Sequence, residues 1–90
     1  MRDFSLYHDK IQNQVYLVGG VELETNETSA RVFKYDVLNR KWSEMPQMLE
    51  ARKQPILFVE DGILNAQSGN NNQIEEGLYL KEPTDWQQLK

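Results

Sequence analysis

The stretch "VYLVGG" at residues 15–20 is a run of apolar and aromatic side chains that stops on two glycines. Its β-branched and aromatic residues favour a strand, and its lack of polar alternation is typical of a strand covered on both faces. Gly19 and Gly20 would allow a positive φ or a close backbone approach where the chain leaves the strand. The stretch therefore predicts a buried strand that ends abruptly against neighbouring chain.

The composition excludes several classes of function. The 90 residues include no cysteine and carry a formal net charge of −4. Proteins bind the phosphates of nucleic acid through basic surfaces. Because this chain is acidic, we expect no nucleic-acid partner. Without cysteine there are no disulfides and no thiolate metal sites. The first residues hold no apolar signal core and no run reaches the ~20 apolar residues of a membrane span, so we expect a cytoplasmic protein with no membrane partner.

A tyrosine and a tryptophan recur at one spacing in the two halves of the chain. Tyr35 precedes Trp42 by seven positions, Tyr79 precedes Trp86 by seven, and the two tryptophans are 44 positions apart. The second half also has a faded counterpart of "VYLVGG" in "LNAQSG" at residues 64–69, where Ser68 and Gly69 stand for the glycine pair. A fixed period of this length indicates a repeat architecture, although an ordinary antiparallel sheet with chance spacing is the alternative.

Each half divides into four short segments of strand composition bounded by turn residues. The predicted strands are residues 4–8, 15–18, 31–37 and 41–45 in the first half, and 56–59, 63–67, 77–81 and 85–89 in the second. The one segment rich in helix formers lies between Pro46 and Pro55, which leaves room for one or two helical turns at most. The sequence therefore predicts an all-β chain.

The residues and their period resemble the Kelch repeat, which forms one four-stranded blade of a β-propeller. The first copy of the motif has the double glycine and then Tyr35, Asp36, Trp42, Pro46 and Met48, and it extends to Arg52 in the connection between the blades. The second half is degenerate and keeps one glycine and the tyrosine-to-tryptophan spacing. The resemblance implies two four-stranded antiparallel Kelch-type blades, residues 1–49 and 50–90, that are part of a larger propeller or assemble into one.

The resemblance also implies which residues form the interior of the blades. Large aromatic side chains would pack as wedges between adjacent sheets, and glycines would end the second strands. The expected structural residues are Gly19, Gly20, Tyr35, Trp42, Gly69, Tyr79 and Trp86.

Two blades leave two outer faces uncovered, whereas propellers typically have ~4–8 blades. Three outcomes stay open from the sequence. The chain self-associates, for example as a trimer with six blades joined by heterologous contacts. Alternatively it belongs to a longer propeller, as a fragment or completed by a partner chain. The third outcome is an open and unstable pair of sheets.

In Kelch-like proteins, the loops between the second and third strands and the connections between blades commonly recognise a partner protein. In this chain these segments are residues 21–30, 70–76 and 46–54. The candidate partner-binding residues are Glu22, Glu24, Asn26, Glu27, Glu50, Arg52, Lys53, Asn70, Asn71 and Asn72. Solvated loop residues are the alternative for each of them, and Arg52 could instead serve structurally between blades.

Catalysis is not expected from these residues. His8 is the single histidine, no nucleophile motif accompanies it, and the copper site of some Kelch-like oxidases requires a cysteine. We find no metal-binding spacing and expect no cofactor. The sequence predicts a non-catalytic protein-interaction module, either a scaffold or a substrate-recognition propeller. The alternative is a small-ligand or carbohydrate-binding, or enzymatic, propeller module that is active only when assembled.

Overall fold

The computed structural model describes residues 2–69 and 75–89, and within them the chain is all-β with no helix. The strands are β1 (Ser5–Asp9), β2 (Gln14–Val18), β3 (Val32–Asp36), β4 (Lys41–Met45), β5 (Ile56–Glu60), β6 (Ile63–Gln67), β7 (Glu76–Tyr79) and β8 (Gln87–Gln88). The strands predicted at residues 41–45 and 63–67 match their observed bounds, and the others differ by at most two residues at either end. No helix that could cross a membrane occurs in the described part of the chain.

The eight strands form two four-stranded antiparallel sheets, each in chain order. Strands β1–β4 form one sheet, which we call blade 1, and strands β5–β8 form the other, which we call blade 2. This confirms the all-β fold of two four-stranded blades. The boundary between domains at residue 49 or 50 stays a prediction.

The strand pairing shows which residues are equivalent in the two blades. Gly20 and Gly69 each lie two residues after the second strand of their blade. Six positions before them are Gln14, which pairs with Asp36, and Ile63, which pairs with Tyr79. Tyr79 is therefore equivalent to Asp36 rather than to Tyr35. The expectation that Tyr79 repeats Tyr35 is wrong, because the turn after β7 is one residue longer than the turn after β3.

The same alignment makes Leu78 the equivalent of Tyr35. It also makes Trp86, which precedes β8, the equivalent of Trp42 on β4. The tryptophan period of 44 residues is thus a true structural repeat, whereas the tyrosine period is not.

Side chains alternate between the two faces of a sheet, so each blade has a front and a rear face. We define the front face of blade 1 by its buried residues Tyr16, Val18, Val32 and Met45, with Tyr7 packed beside them. This front face packs against the rear face of blade 2, which carries Leu57, Val59, Leu64, Ala66, Leu78 and Trp86. The core of the chain is therefore a single layer between the two blades.

The opposite faces lie outside this layer, and two expected core residues lie on them. Trp42 is on the rear face of blade 1 and is 58% exposed, and Tyr79 is on the front face of blade 2 and is 54% exposed. The expectation that both are buried is wrong, because no described part of the chain covers those faces. Tyr35 is half-buried and packs against Trp42, with ring centroids 4.9 Å apart.

The glycines that end the second strands have positive φ angles, 71° at Gly19, 106° at Gly20 and 78° at Gly69. A Cβ atom at Gly19 would collide with the carbonyl oxygen of Arg52, and one at Gly69 would lie 2.5 Å from the carbonyl oxygen of Lys53. The segment between the blades therefore runs directly against the ends of β2 and β6, which is the close backbone approach that the glycine pair predicts.

Candidate interaction surface at the loop face

The loop at residues 21–30 joins β2 to β3 and is held by main-chain hydrogen bonds. Val21 and Arg2 exchange two of them, with N···O distances of 2.7 and 3.0 Å. Within the loop, the amide of Glu22 donates to the carbonyl of Glu27 at 2.9 Å, and the amide of Asn26 donates to the carbonyl of Glu22 at 2.8 Å. The loop is therefore a tight turn with a fixed main chain.

The connector at residues 46–55 joins the two blades and lies beside this loop. The amide of Gly20 donates to the carbonyl of Arg52 at 2.8 Å, and the amide of Arg52 donates to the carbonyl of Ser29 at 3.1 Å. The amide of Met48 also donates to the carbonyl of Ala30, at 2.9 Å. The loop and the connector thus share one end of the blades, which we call the loop face.

The connector is also bonded to blade 2. The indole Nε1 of Trp86 donates to the carbonyl of Pro46 at 2.8 Å, and the amide of Lys53 donates to the carbonyl of Gly69 at 2.9 Å. The connector is therefore hydrogen-bonded to residues of both blades.

A buried ion pair lies beneath the connector. The guanidinium of Arg52 donates through Nε and Nη2 to one carboxylate oxygen of Glu76, at 3.0 and 2.8 Å, and both side chains are fully buried. The Glu76 carboxylate also accepts the amides of Leu49 and Glu50, and Nη1 of Arg52 donates to the carbonyl of Ser68 at 2.9 Å. These bonds satisfy two charges that would be costly if buried alone.

The position of Arg52 overturns its assignment as an exposed partner-binding residue. Its side chain has no accessible surface, because it is directed inward to the Glu76 carboxylate and the Ser68 carbonyl of blade 2. Arg52 therefore has the structural role that the sequence left open as its alternative.

Sequence reasoning did not identify Glu76 as the partner of Arg52. Glu76 stands in "EEGLYL" beside another glutamate, and its equivalent in blade 1 is Phe33, so the repeat offers no sign of a buried acid. An acidic residue within an otherwise apolar strand was the one available signal.

The other candidate residues of the described part are accessible on the loop face. Glu24, Asn26 and Glu27 are exposed, whereas Glu22 and Glu50 are partly exposed. Lys53 is exposed as well, and its Nζ atom lies 3.8 Å from the Asp3 carboxylate. Asn70, Asn71 and Asn72 lie outside the described residues.

A shallow depression of about 500 Å³ lies on the loop and is lined by Glu22, Leu23, Glu24 and Thr25. The side chain of Leu23 is 66% exposed beside the two carboxylates. Asn26, next in the chain, has a positive φ of 61°, and its side-chain oxygen accepts a hydrogen bond from Arg2. The depression thus places two carboxylates beside one exposed apolar side chain, on a loop whose main chain is held by hydrogen bonds.

A second cavity, of about 540 Å³, lies between the blades at the opposite end. It is lined by Tyr7, Asp9, Ile11, Gln12, Val59, Gly62, Leu80 and Lys81. Near it, burial and then the charge of Asp9 raise the pKa of the Tyr16 hydroxyl above its ordinary value. Among residues 2–69 and 75–89, no three His, Cys, Asp or Glu side chains are grouped so as to hold a metal ion.

Comparison with known proteins agrees with this geometry for the first blade. The family model described as the Kelch motif matches residues 10–49, which run from the β1–β2 turn into the connector. No curated protein matches the chain. The glycine pair, Tyr35, Trp42 and Pro46 all fall within the matched segment. Residues 10–49 therefore carry a Kelch motif, and the two four-stranded antiparallel sheets are consistent with blades of the Kelch type.

Proposed function

We propose that this chain is a non-catalytic protein-interaction module of a Kelch-type propeller, a cytoplasmic scaffold or substrate-recognition part that binds a partner protein through its loop face. The observation that carries the proposal is the loop at residues 21–30. The side chains of residues 23–28 are exposed, while the main chain of the loop is bonded to Arg2, to the connector and within itself. Exposed loops held on a rigid scaffold are where binding residues concentrate.

The chemistry of the loop favours a basic partner segment. Glu22 and Glu24 line the depression, and Glu27 is exposed in the same loop. A lysine or arginine side chain would be attracted by these carboxylates, and an apolar neighbour could contact Leu23. Because the main chain of the loop is ordered before binding, a partner loses less affinity to the entropy of ordering it.

A pair of charge-reversal variants tests this proposal. Glu24→Lys/Glu27→Lys changes the loop face, and Glu60→Lys/Glu82→Lys makes the same change in net charge at the opposite end of the blades, where both residues are exposed. Immobilised wild type and both double variants are exposed to one cell extract, and the captured proteins are quantified by mass spectrometry. Melting curves establish that all three chains are folded.

We expect a set of proteins that wild type and the Glu60→Lys/Glu82→Lys control capture equally and that the loop variant loses. A peptide array of fragments from those proteins then identifies the bound segment, which should be basic. If the loop variant captures the same proteins as wild type, the loop face is not the binding surface and the proposal is wrong.

A further inference from the structure

The cavity of about 540 Å³ at the end opposite the loop face, which we call the cleft, lies where the core layer opens to solvent. Tyr7, Val59 and Leu80 pack against the core and line the cleft with apolar surface. Small-molecule sites have volumes of ~300–1,000 Å³ and are lined mainly by apolar side chains with a few polar groups. The cleft therefore has the size and the surface of a site for a small ligand.

The first turn of blade 1 extends one wall of the cleft. Strands β1 and β2 are joined by residues 10–13, whereas the equivalent strands β5 and β6 are joined by residues 61–62 alone. The longer turn adds Ile11 and Gln12 to the lining, and Ile11 is 96% exposed. This wall is therefore built by a feature that the two blades do not share, and it offers an apolar side chain that a ligand could cover.

Asp9 places a carboxylate of fixed direction in the cleft. It is the last residue of β1 and is half-buried on the same face as Tyr7. Its Oδ1 atom accepts the amides of Ile11 and Gln12 at 3.1 and 3.3 Å. Of the residues that the structure describes, none donates a hydrogen bond to its second oxygen, Oδ2. The turn thus holds this carboxylate in place and leaves one oxygen for a charged donor such as an ammonium group.

Lys81 gives the opposite wall a positive charge. It follows β7 in blade 2, lines the cleft and is exposed. Within residues 2–69 and 75–89 it forms no ion pair, not even with Asp9 across the cleft. The flexible stem of a lysine lets its ammonium group adjust to a ligand carboxylate. A ligand with a single charge would meet a like charge on one of the walls, so the cleft favours a ligand that carries both charges.

We propose that the cleft binds a small zwitterion, a molecule with an ammonium group, a carboxylate and an apolar body between them. The ammonium group pairs with Oδ2 of Asp9, and the carboxylate pairs with Lys81. The apolar body covers Ile11 and contacts the walls of the cleft. The inference goes beyond the proposed function, because the site lies at the other end of the blades and uses no residue of the loop face.

Titration with ε-aminocaproate, followed in amide NMR spectra of the labelled chain, tests this site. This probe has an ammonium group and a carboxylate at the two ends of a methylene chain. The matched probes are n-hexylamine and n-hexanoate, which each keep one of the two charges. The amides of Ile11 and Gln12 report on the cleft because they donate to Asp9.

Two variants and two matched controls accompany the titration. Asp9→Asn removes the charge and keeps a side-chain oxygen for the two turn amides. Its control is Asp36→Asn, because Asp36 also accepts two turn amides and does not line the cleft. Lys81→Gln has Lys10→Gln as its control, because Lys10 is exposed in the neighbouring turn and is not part of the lining. The dispersion of the amide signals shows whether each variant is folded.

We expect ε-aminocaproate to cause saturable shifts of the Ile11 and Gln12 amides in wild type and in both controls. Asp9→Asn and Lys81→Gln should each raise the Kd at least about tenfold, because each removes a charge-assisted hydrogen bond. For the same reason, n-hexylamine and n-hexanoate should bind wild type at least about tenfold more weakly than the zwitterion.

The proposal is overturned if ε-aminocaproate causes no saturable shift at the cleft. It is also overturned if either singly charged probe binds as tightly as the zwitterion, or if the folded Asp9→Asn and Lys81→Gln variants bind like their controls. None of these results affects the test of the loop face, which depends on Glu24 and Glu27 and on captured proteins.

Discussion

Trp42 and Trp86 occupy equivalent positions in the two blades, yet one is 58% exposed and the other 3% exposed. The difference comes from what lies behind each blade. Blade 1 covers the rear face of blade 2, whereas no described residue covers the rear face of blade 1. A residue's place in the blade thus decides which face it occupies, and the neighbouring blade decides whether it is buried.

The largest expected difference is between alanine substitutions of the two tryptophans. Trp86→Ala should lower the free energy of unfolding by about 3–5 kcal/mol, since it leaves a cavity between the sheets and removes the hydrogen bond to Pro46. Trp42→Ala should cost less than about 1 kcal/mol, as at exposed sites in general. Urea denaturation at low protein concentration measures both.

Trp86→Phe provides a milder control should Trp86→Ala fail to fold. It keeps most of the packing and loses the indole N–H donor. Equal losses for Trp42→Ala and Trp86→Ala in a monomeric sample would contradict the assignment of the two faces.

The two arginine–glutamate pairs offer a second comparison. Arg52→Met should cost about 3 kcal/mol, because it leaves the buried Glu76 without its counter-charge. The loss falls at the lower end of the range, since the carboxylate keeps the amides of Leu49 and Glu50. Arg31→Met removes the exposed pair with Glu44 and should change stability no more than an ordinary surface substitution does.

Thermal denaturation of the two methionine variants beside wild type measures this contrast. A similar shift in Tm for both variants would mean that the buried Arg52–Glu76 pair contributes no more to stability than the exposed Arg31–Glu44 pair. The double variant Arg52→Met/Glu76→Leu, which replaces the whole pair with apolar groups, should recover part of the loss.

Alanine substitutions at two glycines with positive φ separate the cost of a steric collision from the cost of the backbone conformation. Gly62→Ala should cost about 1 kcal/mol, because its φ of 75° strains an L-residue although its Cβ atom would meet nothing within 4 Å. Gly19→Ala, with a similar φ of 71°, should cost about 1–2 kcal/mol more, because its Cβ atom would collide with the Arg52 carbonyl. Chemical denaturation of both variants gives the difference, and equal losses would show that the connector can move away.

The smallest expected effect is a pH dependence in the β3–β4 turn. Asp36 accepts hydrogen bonds from the side chain of Asn39 and from the amides of Asn39 and Leu38, and these bonds lower its pKa below the ordinary value. The stabilisation is thus complete above the ordinary aspartate pKa of about 4 and is lost as the pH falls through the lower folded value. Blade 2 has Tyr79 at this position and no equivalent carboxylate.

Nuclear magnetic resonance titration of the side-chain carboxyl carbons measures this shift directly. Asp36 should titrate at a lower pH in wild type than in the Asn39→Ala variant. If Asp36 has the same pKa in both chains, its hydrogen bond to the Asn39 side chain does not set the value.

The sequence predicted the strands well because their signals are local. β4 and β6 were located to the residue, since turn formers and prolines bound short β-prone runs. The positive φ of Gly19 also followed from local reasoning, because a glycine pair at the end of an apolar strand indicates a backbone conformation that residues with a Cβ atom seldom adopt. Asn70, Asn71 and Asn72 lie outside the described residues, so their role in binding stays a prediction.

The remaining features depend on contacts between distant segments. The exposure of Trp42 and Tyr79 depends on which blade lies behind each, and the composition of a single strand carries no record of that. The assignment of Tyr79 also relied on its spacing from Trp86, which does not reflect structural equivalence because the turn after β7 has one extra residue. The pairing of Arg52 with Glu76 joins the connector to β7 across 24 positions, and the first blade offers no counterpart for comparison.

The connector has a consequence for how this chain would respond to a ligand. Residues 46–55 are bonded to the β2–β3 loop on one side and to Glu76, Ser68 and Trp86 of blade 2 on the other. A partner seated on this segment would hold both sheets at once and raise the melting temperature of the whole chain. Conversely, any solvent condition that separates the sheets would disrupt the proposed binding surface, so binding of a partner there would be coupled to the stability of the fold.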